Sequence, residues 1–273
     1  VNVSSSDTGE ATVTPETLTF TAANYDTAQQ VTVTGVNDTD IDGHEEYEIS
    51  LSAADQLTDD PEVDTLAGAA GSSATTDGTG TSARFTKPND ITSDGTNLYV
   101  SQNNHTIRKI VISSGVVTTL AGSAGSSGSA DGTGTSATFN EPAGITTDGT
   151  NLYVGDQKNH TIRKIVISSG VVTTLAGSAG NAGSTDDTGT AARFNTPLHL
   201  TTDGTNLYVG DYRNHTIRKI VISSGVVTTL AGTAGASGTT DGTGAEARFF
   251  KPRGLATDGT NLYVSDTYNH TIR

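Results

Sequence analysis

The five-residue phrase Asn-His-Thr-Ile-Arg occurs four times, at 104–108, 159–163, 214–218 and 269–273, always 55 residues apart. A fixed return of this kind means that the chain is built from copies of one supersecondary unit, each burying its apolar surface against the next. The copies align along their length. Asp-Gly-Thr-Gly at 77–80 returns at 131 and 241, and at 186 with Asp187 replacing the first Gly. A proline follows each time, at Pro88, Pro142, Pro197 and Pro252, and then Asp-Gly-Thr-Asn-Leu-Tyr-Val from Asp94, Asp148, Asp203 and Asp258. The first copy is one residue shorter between Tyr99 and Asn104.

Within a unit, four short β-branched or apolar runs are separated by Gly, Asp, Asn and Ser. In the second unit they predict strands a to d near 144–147, 151–155, 161–168 and 171–175. Asp148-Gly149 and Ser168-Ser169-Gly170 are tight-turn signals joining a to b and c to d. No segment keeps a 3.6-residue period, so long helices are not expected. Four strands per unit suggest a propeller blade. The pattern Pro-x-x-(Ile/Leu), Asn-Leu-Tyr-Val-(Gly/Ser)-Asp and Asn-His-Thr-Ile-Arg-Lys-Ile resembles NHL repeats over roughly residues 62–273. The first copy departs from it, with Ser101-Gln102-Asn103 where the others carry Asp156, Asp211 and Asp266. The expectation is an all-β chain: four NHL-type, four-stranded propeller blades over 65–273, preceded by a partial β-sandwich.

Charge divides the chain. All fifteen Lys and Arg lie beyond residue 64, whereas residues 1–64 hold fifteen of the thirty Asp and Glu. The whole net charge of −15 therefore belongs to the first segment, and the boundary falls in an acidic linker at 59–64. Some NHL propellers bind RNA through a basic face. This one is electrically neutral beside an acidic neighbour, which argues against nucleic acid. There is no Cys, so no disulfide and no thiolate metal site. With no Met in 273 residues, the chain reads as an internal or processed piece and the propeller as truncated. No apolar run is long enough to span a membrane. The Thr/Ser/Gly/Asp-rich composition suits a secreted or cell-surface bacterial β-protein.

Residues 1–58 predict strands at 11–14, 17–21, 30–35 and 46–51, with Val31 and Val33 on one face. The stretch from Thr14 to Asp38 is similar to the C-terminal half of Calx-beta and related Ig-like modules. About half of such a sandwich is present. Asp38, Asp40 and Asp42, followed by Glu45 or Glu46, offer the oxygen ligands that Ca²⁺ requires, although an EF-hand would need a Glu where Ile49 stands. The alternative is a solvated acidic turn. No cofactor is expected other than calcium in this segment.

The repeated His, one per blade, are too far apart to share a metal and read as framework that bonds its own b–c turn. The unrepeated His199 stands where the other copies have Asp90, Gly144 and Gly254, at the entry to strand a beside the channel. His199 with Asp90 is the one catalytic alternative, a secreted lyase or lactonase, because some look-alikes of the fold use such positions. Catalysis needs unlike groups converging on one point, and near-identical repeats supply symmetry instead. The a–b and c–d turns are nearly uniform; the b–c turns and d–a crossovers differ. A protein or glycan partner is therefore expected on the b–c and d–a side, against Lys158, Tyr212, Arg213, Phe250, Lys251, Arg253 and Tyr268. The alternative is neutral drift between duplicated copies. A closing clasp, with 62–68 as a lone d strand completing the last blade, is a further expectation.

Overall fold

The computed structural model describes residues 2–5, 11–16, 18, 30–35, 49–52 and 63–273. Two compact units separate at Asp64/Thr65. In the first, β1 (Asn2–Ser5) pairs antiparallel with β4 (Ile49–Ser52), and β2 (Ala11–Thr14) with β3 (Thr32–Gly35). Val3, Val13 and Leu18 are buried together, with Val31 against them, whereas Val33 is 43% exposed. Of the predicted strand at 17–21 only Leu18 is described, in no strand, and the calcium candidates Asp38, Asp40, Asp42 and Glu45 lie outside the described residues.

The second unit holds the four blades. The first comprises β5 (Gly78–Thr79), β6 (Pro88–Ser93), β7 (Asn97–Gln102), β8 (Thr106–Val111) and β9 (Val116–Gly122). The second comprises β10 (Gly132–Thr133), β11 (Pro142–Thr147), β12 (Asn151–Asp156), β13 (Thr161–Val166) and β14 (Val171–Gly177). The third comprises β15 (Asp187–Thr188), β16 (Pro197–Thr202), β17 (Asn206–Asp211), β18 (Thr216–Val221) and β19 (Val226–Ala231). The fourth has β20 (Pro252–Thr257), β21 (Leu262–Asp266) and β22 (Thr271–Ile272). In each of the first three, four antiparallel strands run in chain order, and the two-residue strand pairs outside the last. The innermost strands pack in sequence, β6 on β11, β11 on β16 and β16 on β20, in a β-propeller arrangement.

Period-2 alternation explains the core, because each strand of a blade meets a neighbour on both faces. In blade two, Leu152, Val154, Ile165 and Val172 face back onto Tyr99, Ile107 and Ala121 of blade one. Tyr153, Ile162 and Ala176 face forward into blade three, against Phe194, Leu200, Leu207 and Val209. No described helix is long and apolar enough to cross a membrane.

The crossovers depart from expectation. Instead of staying on the b–c side, each runs along the outer edge of the next blade to the opposite side. The tip is a 3₁₀ turn, Gly134–Ser136 in the second blade, where Gly134 N–H donates to Gly170 O at 2.9 Å. It then returns with Ala137 and Phe139 fully buried. Alternating apolar residues are lacking on the outward limb, so only two residues there pair as a strand. The clasp is not formed either. Residues 65–67 form no strand, and β22 pairs only with β21. Ala67 packs on blade one, as Ala121 packs on blade two.

Candidate binding face on the b–c side

The framework residues build sockets for the variable ones. In blade three the b–c turn is Asp211-Tyr212-Arg213-Asn214. The buried Asp211 accepts from Asn195 N–H (2.7 Å) through Oδ1, and from Asn214 Nδ2 (2.7 Å) and Arg218 Nη1 (2.9 Å) through Oδ2. Arg213 N–H donates to Asn195 O at 3.1 Å. Burial pushes Asp211 up to about 6 against these donors. The turn backbone is thus tied on both sides, and Tyr212 and Arg213 project from it. Asp266 and Phe250 pin Tyr268 in the same way in blade four. In the shortened first copy, Gln102 Oε1 replaces the carboxylate and accepts from Thr86 N–H at 2.9 Å, which leaves its Nε2 without a partner.

The histidines correct the expectation that each bonds its own turn. Nδ1 of His105, His160 and His215 accepts, at 3.1 Å, the N–H of Glu141, Thr196 and Lys251, the pre-proline residue of the following blade. Each is an inter-blade staple. The acceptor role requires Nδ1 to be unprotonated. Burial, followed by the charges of Arg213 and Lys158, holds His160 below its ordinary value. Burial and Lys251 do the same to His215, against Asp266.

Four of the seven face residues predicted from sequence, Tyr212, Phe250, Lys251 and Tyr268, form an aromatic–cationic group with shared contacts. Lys251 Nζ lies 4.4 Å from the Tyr268 ring centroid, 5.6 Å from Tyr212 and 5.7 Å from Phe250. Tyr212 and Tyr268 meet edge to face at 6.4 Å, their hydroxyls 3.5 Å apart. Tyr212 and Arg253 line a cavity of about 240 Å³ with Tyr268. They also line a second, of about 440 Å³, which gathers Lys158 and Arg213, the other two predicted residues. Its wall includes Gln157, His160, Thr196 and Leu198, which sequence reasoning did not select. His160 sits in the repeated motif and so looked like framework alone; Gln157, Thr196 and Leu198 vary between copies and carried a usable signal.

The alternative pair also meets. His199 Nδ1 lies 3.4 Å from Asp90 Oδ2, and both side chains are about a quarter exposed. Asp90 reaches across β11 and accepts from Ile145 N–H at 2.9 Å. Burial raises its carboxyl, but the bonds from His199 and Ile145 outweigh this and hold it below the ordinary range. Gly144 makes the approach possible: a Cβ there would lie 2.5 Å from His199 Cα and from Leu198 O. Among the described residues, no cluster of three or more His, Asp or Glu is placed to hold a metal.

Known proteins place the repeat. No protein-family model matches the chain. It is 35% identical over 132 residues to NHL repeat-containing protein 2 of Bos taurus, a match covering 45% of this chain and 18% of that protein. The chain thus spans under a fifth of that relative's length. A structural genomics protein of unknown function from Bacteroides thetaiotaomicron superposes with a TM-score of 0.58 at 25% identity, over 68% of this chain and 46% of the other. An auxiliary nutrient binding protein from Bacteroides ovatus gives 0.54 at 21%, over 67% and 46%, a likeness of fold.

Proposed function

We propose that this NHL-type propeller is a noncatalytic binding scaffold, extracellular or at a cell surface, which docks a protein or glycan through the b–c face. The observation that carries the reading is the gathering of the variable residues. Tyr212, Phe250, Lys251 and Tyr268 converge in contact, while the repeated residues are consumed in holding them. Aromatic and Arg side chains on a rigid frame are favourable anchors for a partner. The description of a structural neighbour as a nutrient binding protein is consistent with a binding role. The acidic first segment is read as a Calx-beta-like module, with Asp38, Asp40, Asp42 and Glu45 as its calcium candidates.

Replacing Tyr212 and Arg213 together by Ala should lower binding to whichever members of a panel of immobilised glycans and extracellular proteins the wild type retains. At least a tenfold loss is expected, on the order of the effect of removing two anchors. Unchanged binding would overturn the face. A second reading, a lyase or lactonase, rests on the His199–Asp90 pair. It requires a turnover that His199→Ala abolishes.

A further inference from the structure

Resting on that binding face, we infer that the cavity of about 440 Å³ between the b–c turns takes a carboxylate-bearing sugar, a uronic-acid unit of an acidic glycan.

The first support is unneutralised charge. Among the described residues, the ion pairs of Arg108, Arg163, Arg218 and Arg273 each use an Asp of the framework. Lys158, Arg213 and Arg253 line one cavity, and among the described residues none of the three takes part in an ion pair. They do so in a unit that carries as many acids as bases. The charges converge: Arg213 and Lys158 together act on His160, and Arg253 and Arg213 on Tyr212. Gathered cations of this kind raise the local concentration of anions. A guanidinium fork also matches the plane of a carboxylate.

The second support is the remainder of the wall. Gln157, whose Nε2 donates to Glu141 Oε2 at 3.4 Å, offers its Oε1, and Thr196 its hydroxyl, to sugar hydroxyls, while Leu198 and the Tyr212 ring offer an apolar surface for a C–H face. A bare inorganic anion uses neither. The volume falls in the range of small-ligand sites, roughly 300–1,000 Å³. Phe250 and Tyr268 already hold Lys251 over their rings, so the sugar's place is on the Leu198 side. A nucleic-acid strand would need cations along a continuous track, and this unit as a whole supplies as many acids as bases.

The test is calorimetric titration of the full chain with digalacturonic acid, with its neutral counterpart digalactose, and with inorganic phosphate. The acid should bind at least about tenfold more tightly than either of the others, and more weakly as salt rises. Arg213→Gln and Arg253→Gln should each lower that affinity about tenfold, while Lys109→Gln, on a framework strand, leaves it unchanged. Both arginines are exposed, so thermal unfolding should be unaltered in these variants, which separates lost binding from lost fold. Equal binding of the neutral sugar, equal binding of phosphate, insensitivity to both substitutions, or no binding of the acid would each overturn the inference. If digalacturonic acid fails but a panel ligand is still lost on changing Tyr212 and Arg213, the face stands and the uronate class falls.

Discussion

Arg163 shows how far a charged residue of a repeat can be from a surface charge. Its side chain is fully buried. It donates to Thr138 O and Ala130 O, pairs with Asp131 at 2.8 Å and Asp156 at 3.1 Å, and lies 5.1 Å from the Phe139 ring centroid. Arg163→Met should destabilise the propeller by about 3–5 kcal/mol, because Asp156 is then left buried and uncompensated. Urea unfolding would measure it. Arg163→Lys should recover only part, since a single ammonium cannot serve acceptors spread around a planar fork. A midpoint unchanged by either substitution would mean that the buried network is energetically idle. The sequence showed that this Arg recurs, but not that it is interior. Its partner Asp131 lies 32 residues earlier, and the two meet only because the crossover folds back under its own blade. Local spacing contains no trace of that.

Between elements, the histidine staple sets how blades join. His160 has φ 60° and Thr196, immediately before Pro197, has φ 61°. Both positions are unfavourable for L residues, and the region before a proline is restricted further. The Nδ1 bond holds the two strained positions together across the blade boundary. His160→Gly keeps the left-handed backbone accessible while removing the acceptor. It should cost about 1–2 kcal/mol and speed hydrogen exchange at the Thr196 amide. An unprotected Thr196 amide in the wild type would refute the staple. Strands a to d were legible within about two residues, because alternation and turn chemistry agree there. The outer strands β10 and β15 were not, since two residues within a Gly/Ser/Thr crossover carry no alternation. The variable turn residues were legible as a group, but the cavity was not. Its wall joins residues as far apart in the chain as Lys158 and Arg253 and includes the repeated His160, which looked like framework.

Across the molecule, the Asp-Gly-Thr-Asn turns form a set that responds to acid. Burial alone would raise Asp94, Asp148 and Asp203. Bonds from the following Tyr hydroxyl, Asn amide and backbone N–H groups outweigh it and lower all three, Asp94 to about 2. Since the folded carboxyls titrate below their unfolded value of about 3.8, the unfolded chain takes up protons first as pH falls. The stability they confer is complete above about pH 4 and is lost as pH drops through the folded values. Unfolding midpoints measured from pH 6 to pH 2 should fall more steeply in the wild type than in a variant with Asn at all three positions. Equal slopes would remove these turns from the account. The crossovers carry one more consequence, for how such a chain could have grown. The segment that follows each d strand edges, underpins and tethers the blade after it, so the unit of heredity and the unit of folding are out of phase. A 55-residue stretch cut anywhere but just after a d strand ends with a part that the next copy needs and begins with a part that the previous copy lacks. Tandem duplication therefore needs no favoured boundary. A misplaced recombination event still yields parts that interlock, and ancestry by slippage becomes easy.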